Sequence, residues 1–253
     1  GYETDRFFTR DDFMQDANGN LIIQNGRYVM KDGVATQKQW EASWFFYGPG
    51  DVKYRDLNGD GVIDFGANSL DDHGDLRVIG NSTPRYQYGL RLNASWKGFD
   101  VAVFIQGVGK RNLWPNGPLV IPGYRPGEAW YQHQLDYWTE DNLDAFYPRP
   151  TDAGQSNNTR NFLPQTKYLL NLAYTRLKNV TVGYNLPAGL IKKARMQNAR
   201  IYFSGENLFE IDNLDIPLDP EVDYTTAGLN DPNTFGRVYP YRRTLSLGLQ
   251  VTF

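Results

Sequence analysis

The chain has 253 residues, no cysteine, 26 Lys and Arg against 29 Asp and Glu, and a formal net charge of −3. The lack of cysteine excludes a disulfide framework and a thiol nucleophile, and a near-neutral balance without a dense basic stripe argues against a nucleic-acid partner. No run of about 18 apolar residues is present, so no transmembrane helix is expected, although strands can hide an apolar face in alternation. Tyrosine and tryptophan, 17 and 6 residues, are abundant in the way of interfacial girdles and of sugar-binding surfaces. Residue 1 is glycine and no secretory apolar region follows it, so the chain reads as a processed or cleaved piece whose targeting signal lies elsewhere.

Residues 1–8 read as the tail of a strand, and residues 9–84 as a long polar loop punctuated by Asn-Gly and Asp-Gly turn signals. From residue 85 to 96 the even positions are Tyr86, Tyr88, Leu90, Leu92, Ala94 and Trp96, and the odd ones Arg85, Gln87, Gly89, Arg91, Asn93 and Ser95. Successive strand side chains point to opposite faces, so this is a strand with one apolar and one polar face. At about 3.3 Å per residue and a tilt near 40°, it spans roughly 25 to 30 Å, the height of the apolar band of an outer-membrane barrel. Lys97-Gly98 is a tight turn, and Phe99, Val101, Val103 and Ile105 share one face of a second strand ending near residue 107. An aromatic loop runs over 108–166. Residues 167–186 read as a strand with Tyr168, Leu170, Leu172 and Tyr174 in phase, a bulge at 175–178, then Val180, Val182 and Tyr184. A short basic turn, a strand over 199–208, a loop over 209–238 and a last strand over 239–253 follow. In that last strand Tyr239, Tyr241, Leu245, Leu247, Leu249, Val251 and Phe253 share one parity, and Arg243 alone breaks it.

Short connections therefore alternate with long ones, as they do between the two rims of an outer-membrane barrel. Five strands and a fragment cannot close such a barrel, which needs at least about eight. Further strands are expected from an absent N-terminal portion or from other chains. The fold class expected is all-β, the C-terminal part of a large antiparallel transmembrane barrel with long extracellular loops.

Two stretches are candidate sites. Asp56, Asn58, Asp60, Gly61, Val62 and Asp64 occupy positions one, three, five, six, seven and nine of a calcium-loop pattern, whose oxygens converge when the backbone curls around a hard cation. Position twelve is Ala67, so a closing carboxylate is sought further on, among Asp71, Asp72 and Asp75. The plainer alternative is an acidic Asx-turn loop holding no ion. In the aromatic loop, Trp114, Tyr124, Trp130, Tyr131, Tyr137 and Trp138, with Tyr147, offer flat faces for sugar rings or a partner, and Asp136, Glu140, Asp141 and Arg149 are hydrogen-bonding neighbours. Packing within the loop is the competing use of the same rings. No enzymatic motif is present: His73 and His133 lack ligand spacing, and there is no nucleophile elbow or phosphate-binding loop. No organic cofactor is expected.

Several motifs occur in one order: residues 50–64 (GDVKYRDLNGDGVID), 79–89 (IGNSTPRYQYG), 96–100 (WKGFD), 137–142 (YWTEDN), 147–150 (YPRP), 176–187 (RLKNVTVGYNLP), 205–209 (GENLF) and the terminal Phe253. Together they resemble the C-terminal third of SusC/RagA-type TonB-linked outer-membrane transporters. The resemblance implies a barrel of roughly 22 strands with a plug. It also implies import of oligosaccharides or peptides, with a SusD-like surface lipoprotein as lid and TonB acting through the missing N-terminal part. Location in the bacterial outer membrane and recognition of Phe253 by the barrel-assembly machinery go with it. A soluble, calcium-stabilised, carbohydrate-binding β-sandwich and a surface adhesin are the alternatives.

Overall fold

The structure, a computed structural model, describes residues 1–124, 127, 129–151, 160–226, 228–239 and 241–253. In chain order its strands are β1 (Thr4–Phe7), β2 (Ile23–Gln24), β3 (Arg27–Tyr28), β4 (Val52–Tyr54), β5 (Gln87–Trp96), β6 (Phe99–Val108), β7 (Asn112–Leu113), β8 (Leu170–Asn171), β9 (Tyr174–Asn185), β10 (Asn198–Asp212) and β11 (Thr244–Thr252). A short α-helix, α1 (Ala188–Lys193), lies in the basic connection between β9 and β10. The fold is all-β, as the alternation predicts. It divides into two units, the first from Gly1–Gly80, Trp114–Leu170 and Tyr224–Phe235, the second from Asn81–Leu113, Asn171–Asp223 and Gly236–Phe253.

The second unit is built on a five-stranded antiparallel sheet in the order β11-β10-β9-β6-β5. Its first turn places Lys97 and Gly98 at φ 48° and 88°, the two left-handed positions that let a two-residue turn follow the twist of the paired strands. Register then stacks like with like. Trp96, Phe99, Tyr184, Ile201 and Leu249 form one cross-strand row, and Ala94, Val101, Val182, Phe203 and Leu247 the next. Leu92, Val103, Val180, Gly205 and Leu245 form a third, followed by Leu90, Ile105, Leu177 and Phe209. Between them run rows such as Asn93, Ala102, Thr181, Ser204 and Ser246 on the other face.

The bulge expected at 175–178 is present. Phe104 pairs with Asn179 and Ile105 with Leu177, which leaves Lys178 unmatched on β6, while Asn207 and Leu208 lie opposite it on β10. With Asn207 at φ 51°, β10 turns through this irregularity and continues to Asp212, past the expected end at 208, so Phe209 and Ile211 belong to the strand. The strand expected from 167 begins instead at Tyr174, which pairs with Val108 and Asp212, in the alternate row to Leu177. Tyr168 and Leu172, expected on the same strand face, are buried, with Tyr168 stacked among Phe146, Tyr147 and Phe162. Burying an aromatic ring contributes about 1.5 to 3 kcal/mol, enough to override a local strand pattern.

Residues 1–8 are not a strand of the large sheet. β1 pairs antiparallel with β4 inside the first unit. That unit, whose segments read from the sequence as loops, has a core of Phe8, Phe13, Phe45 and Tyr47 packed by Leu21, Tyr28, Met30, Val34 and Trp40. Its segments are tied by Asp51, fully buried, whose carboxylate accepts from Arg149 at 2.6 Å, Asn161 Nδ2 at 2.9 Å and the Gly48 N–H at 2.8 Å. Asn161 Oδ1 in turn accepts from the Val52 N–H at 2.8 Å.

Candidate functional site

The sheet of the second unit carries two chemically distinct faces. On the apolar one, Leu90 is 49% exposed, Leu92 54%, Phe203 42% and Leu247 80%, and the neighbouring rings of Tyr86, Trp96 and Phe99 are exposed as well. A soluble protein rarely leaves so continuous an apolar surface uncovered. The face matches one that meets lipid, with aliphatic residues in the middle rows and Trp96, Phe99 and Tyr184 in one end row, where Phe99 and Tyr184 are 4.5 Å apart between ring centroids.

The opposite face is polar and charged. Arg200 on β10 reaches across β9 to Asp100 on β6, with contacts at 2.9 and 2.5 Å. Gly183 lies between them, and a Cβ at that position would stand 2.4 Å from Arg200 Nη2, so any other residue would make the pair shift from this geometry. Arg91 lies over Phe104 at 5.4 Å. At the bulge, Arg176, almost fully buried, binds Glu210, Asp219 at 2.9 Å and Glu221 at 2.6 Å. Lys178 joins it through Glu221 at 3.0 Å, and the Tyr241 ring covers both cations at 4.7 and 4.8 Å. A recess of about 280 Å³ opens beside this cluster, lined by Arg176, Asn207, Pro217, Leu218, Tyr241 and Arg243 among others. The bulge was legible in the sequence, but nothing in the spacing of Glu210, Asp219 and Glu221 indicated that they meet Arg176.

In the first unit, the residues of the calcium-type loop are adjacent but hydrogen-bonded to backbone. Asp56 accepts from the Gly59 and Gly61 N–H groups at 2.6 and 2.8 Å, Asn58 Oδ1 from the Asp60 N–H, Asp60 from the Val62 N–H at 2.7 Å, and Asp64 from the Gly66 N–H at 2.7 Å. Of the three closing candidates, Asp75 reaches the loop. Fully buried, it accepts from the Leu57 and Asp64 N–H groups at 2.6 and 2.9 Å. Asp72 caps Ala67 instead. Among the described residues, no three His, Cys, Asp or Glu side chains gather as a metal-holding group. The donor types suit calcium, and their carboxylates face backbone N–H groups in this arrangement.

The aromatic loop is divided in use. Trp138 is buried, and so is Tyr147, stacked on Tyr168 at 6.0 Å. Trp130 meets Tyr137 edge-on at 5.8 Å, Tyr124 reaches Asn116 at 3.4 Å, and Trp114 is half-buried. Tyr131, stacked on His133, is the most exposed ring of the set. The polar neighbours are committed too. Arg149 holds Asp51, Glu140 pairs with Arg10 at 3.1 Å, and Asp136 caps the Phe146 N–H at 3.0 Å. Asp141 is exposed, as is Phe253, one residue beyond β11. Lys167 lies over Phe7 at 4.8 Å, where burial lowers its ammonium pKa against the pull of Asp136 and Asp144.

No protein-family model matches the chain. Two curated proteins of Formosa agariphila are similar to it: TonB-dependent receptor P3, 31% identical over 81% of this chain, and TonB-dependent receptor P26, 30% identical over 81%. The chain spans 19% and 20% of their lengths. Among solved structures, the RagAB peptide transporter matches 73% of the chain and 19% of its own at 26% identity, with a TM-score of 0.52. The RagAB peptide importer in its closed-closed state shares the fold over the whole chain at 20% identity and a TM-score of 0.51.

Proposed function

Because the chain belongs to the TonB-dependent receptors of SusC/RagA type, we propose that it forms the C-terminal stretch of barrel wall in an outer-membrane importer. The observation that carries this reading is the five-stranded sheet with one exposed apolar face and one charged face, since a barrel wall is apolar toward lipid and polar toward its lumen. The cargo is an oligosaccharide or a peptide. The similar RagAB structure is that of a peptide transporter, which favours a peptide and a companion lipoprotein of SusD type over the loops. Energy reaches the barrel from TonB through the part of the protein outside this chain, and no chemistry is performed on the cargo.

The loop at residues 56–64 takes a calcium ion in this reading, with Asp56, Asn58, Asp60, the Val62 carbonyl, Asp64 and Asp75 as the donor set. Tyr131, the most exposed ring of the aromatic loop, meets the lipoprotein or the cargo, and the edge of β11 with Phe253 is what the assembly machinery reads.

The test is uptake. Cells carrying the full-length protein are expected to import cargo only with a proton gradient and TonB, and the protein to leave membranes only with detergent. Extraction into aqueous buffer as a folded monomer would overturn the reading in favour of a soluble sandwich.

A further inference from the structure

Arg243 is the one residue of 239–253 that breaks the alternation, placing a cation on the apolar parity. The structure removes the conflict, because β11 begins only at Thr244 and Arg243 instead lines the recess beside Arg176. Among the described residues, the Arg243 guanidinium makes no hydrogen bond or ion pair, unlike Arg176, Lys178 and Arg200 on the same unit.

The recess is lined by charges of both signs. Arg176 and Lys178 bring two positive charges against the three negative ones of Glu210, Asp219 and Glu221, so that cluster holds a single net negative charge. Arg243 lines the same recess. So does Asn207, in the left-handed conformation of the bulge, whose Nδ2 donates to the Arg242 carbonyl at 3.2 Å. Among the described residues, none donates to its buried Oδ1. A buried carbonyl oxygen is normally satisfied, so an unmet acceptor at a recess wall calls for a ligand N–H or O–H. Pro217 and Leu218 give the recess an apolar wall.

We propose that this recess binds the carboxyl-terminal end of a peptide, with the carboxylate on Arg243, the last peptide N–H donating to Asn207 Oδ1, and the terminal side chain against Pro217 and Leu218. The proposal rests on the import reading and gives it a cargo class. A guanidinium pairs with a carboxylate in bidentate fashion, and a peptide end carries an N–H donor a fixed, short distance from that carboxylate. A neutral glycan could meet Asn207 but offers Arg243 no charge. An acidic sugar supplies the carboxylate but only hydroxyl donors beside it.

The test uses the purified full-length transporter and calorimetric titration with trialanine, trialanine amide and a digalacturonate. Trialanine is expected to bind at least about tenfold tighter than its amide, by the loss of one charge-assisted contact. Arg243→Gln should remove that preference, and Asn207→Leu should weaken both peptides. Heat-modifiable migration verifies that both variants assemble. Equal binding of acid and amide, an unchanged preference in Arg243→Gln, tighter binding of the digalacturonate, or no binding of any probe overturns the proposal. Energised uptake by wild-type cells alongside any of those results leaves the import reading standing, whereas failure of uptake itself strikes that reading first.

Discussion

Leu92 and Asn93 are chain neighbours on opposite faces of β5, and that difference makes them a matched pair for testing the membrane assignment. An arginine on the lipid side of a barrel costs about 2 to 4 kcal/mol near the bilayer midplane, while a lumen position tolerates it. Leu92→Arg is therefore expected to lower the urea stability of the full-length barrel in lipid by that amount, and Asn93→Arg to leave it within error. The reverse order would mean that the faces are assigned the wrong way round. Asp12 offers a test in the first unit. Burial pushes its carboxyl up, but Arg6 at 2.6 and 2.7 Å, the Thr9 N–H at 2.8 Å and the charge of Lys53 outweigh this and hold it at about 2. A carboxyl depressed in the folded state contributes stability above its unfolded pKa and loses it as pH falls through the folded one. The contribution, on the order of 2 kcal/mol at neutral pH, should vanish between about pH 4 and pH 2. Asp12→Asn is expected to flatten that acid limb in proteolysis of the loop unit, and an unchanged pH profile would remove Asp12 from it.

At the scale of elements, β5 and β6 could be read almost residue by residue, because alternation over a half-buried sheet fixes which side chain faces where. The bulge at Lys178 was legible for the same reason, since Leu177 falls out of phase. What alternation could not show is where rings from distant segments meet. Tyr168 and Leu172 continue a strand pattern on paper, yet the stack of Phe146, Tyr147 and Phe162 draws Tyr168 into the first unit. Arg149 read as a partner for sugar hydroxyls and is instead held by Asp51, 98 positions away. The calcium-type loop depends on spacing alone, and its test is a titration. Calcium should quench proteolysis within residues 56–75 in the wild type and not in Asp60→Ala. Protection that is absent, or equal in both proteins, leaves an Asx-turn loop. Among the described residues β11 pairs with β10 along one side only, and its apolar residues run on to Phe253. If that open edge is what assembly recognises, Phe253→Asp should cut the amount of heat-modifiable barrel far more than loss of a ring 80% exposed could, since full burial of such a ring is worth only about 1.5 to 3 kcal/mol. Equal amounts would make Phe253 an ordinary interfacial residue.

On the whole molecule, the two units rest on different physics. The sheet depends on lipid covering an exposed apolar face, the other unit on its own aromatic core and on buried charge. Removing one partner of a buried ion pair costs about 3 to 5 kcal/mol, because the other charge is left stranded. Asp51→Ala, which strands Arg149, is thus expected to make the first unit protease-sensitive while the heat-modifiable band of the barrel persists. Loss of both together would show that they fold as one. The first unit also has an order of delivery written into it. Its last contribution, Tyr224–Phe235, stacks Tyr224 on Phe235 at 5.1 Å and receives Asn116 Nδ2 on the Asn230 carbonyl at 3.0 Å. A chain that emerges from its N-terminus must therefore hold the earlier segments unfinished while β9 and β10 are still being laid down, and contacts of such long sequence separation form slowly. The surface a chaperone or protease meets during secretion is consequently different from the mature one, with Asn116 and its neighbours waiting for the segment that will close over them.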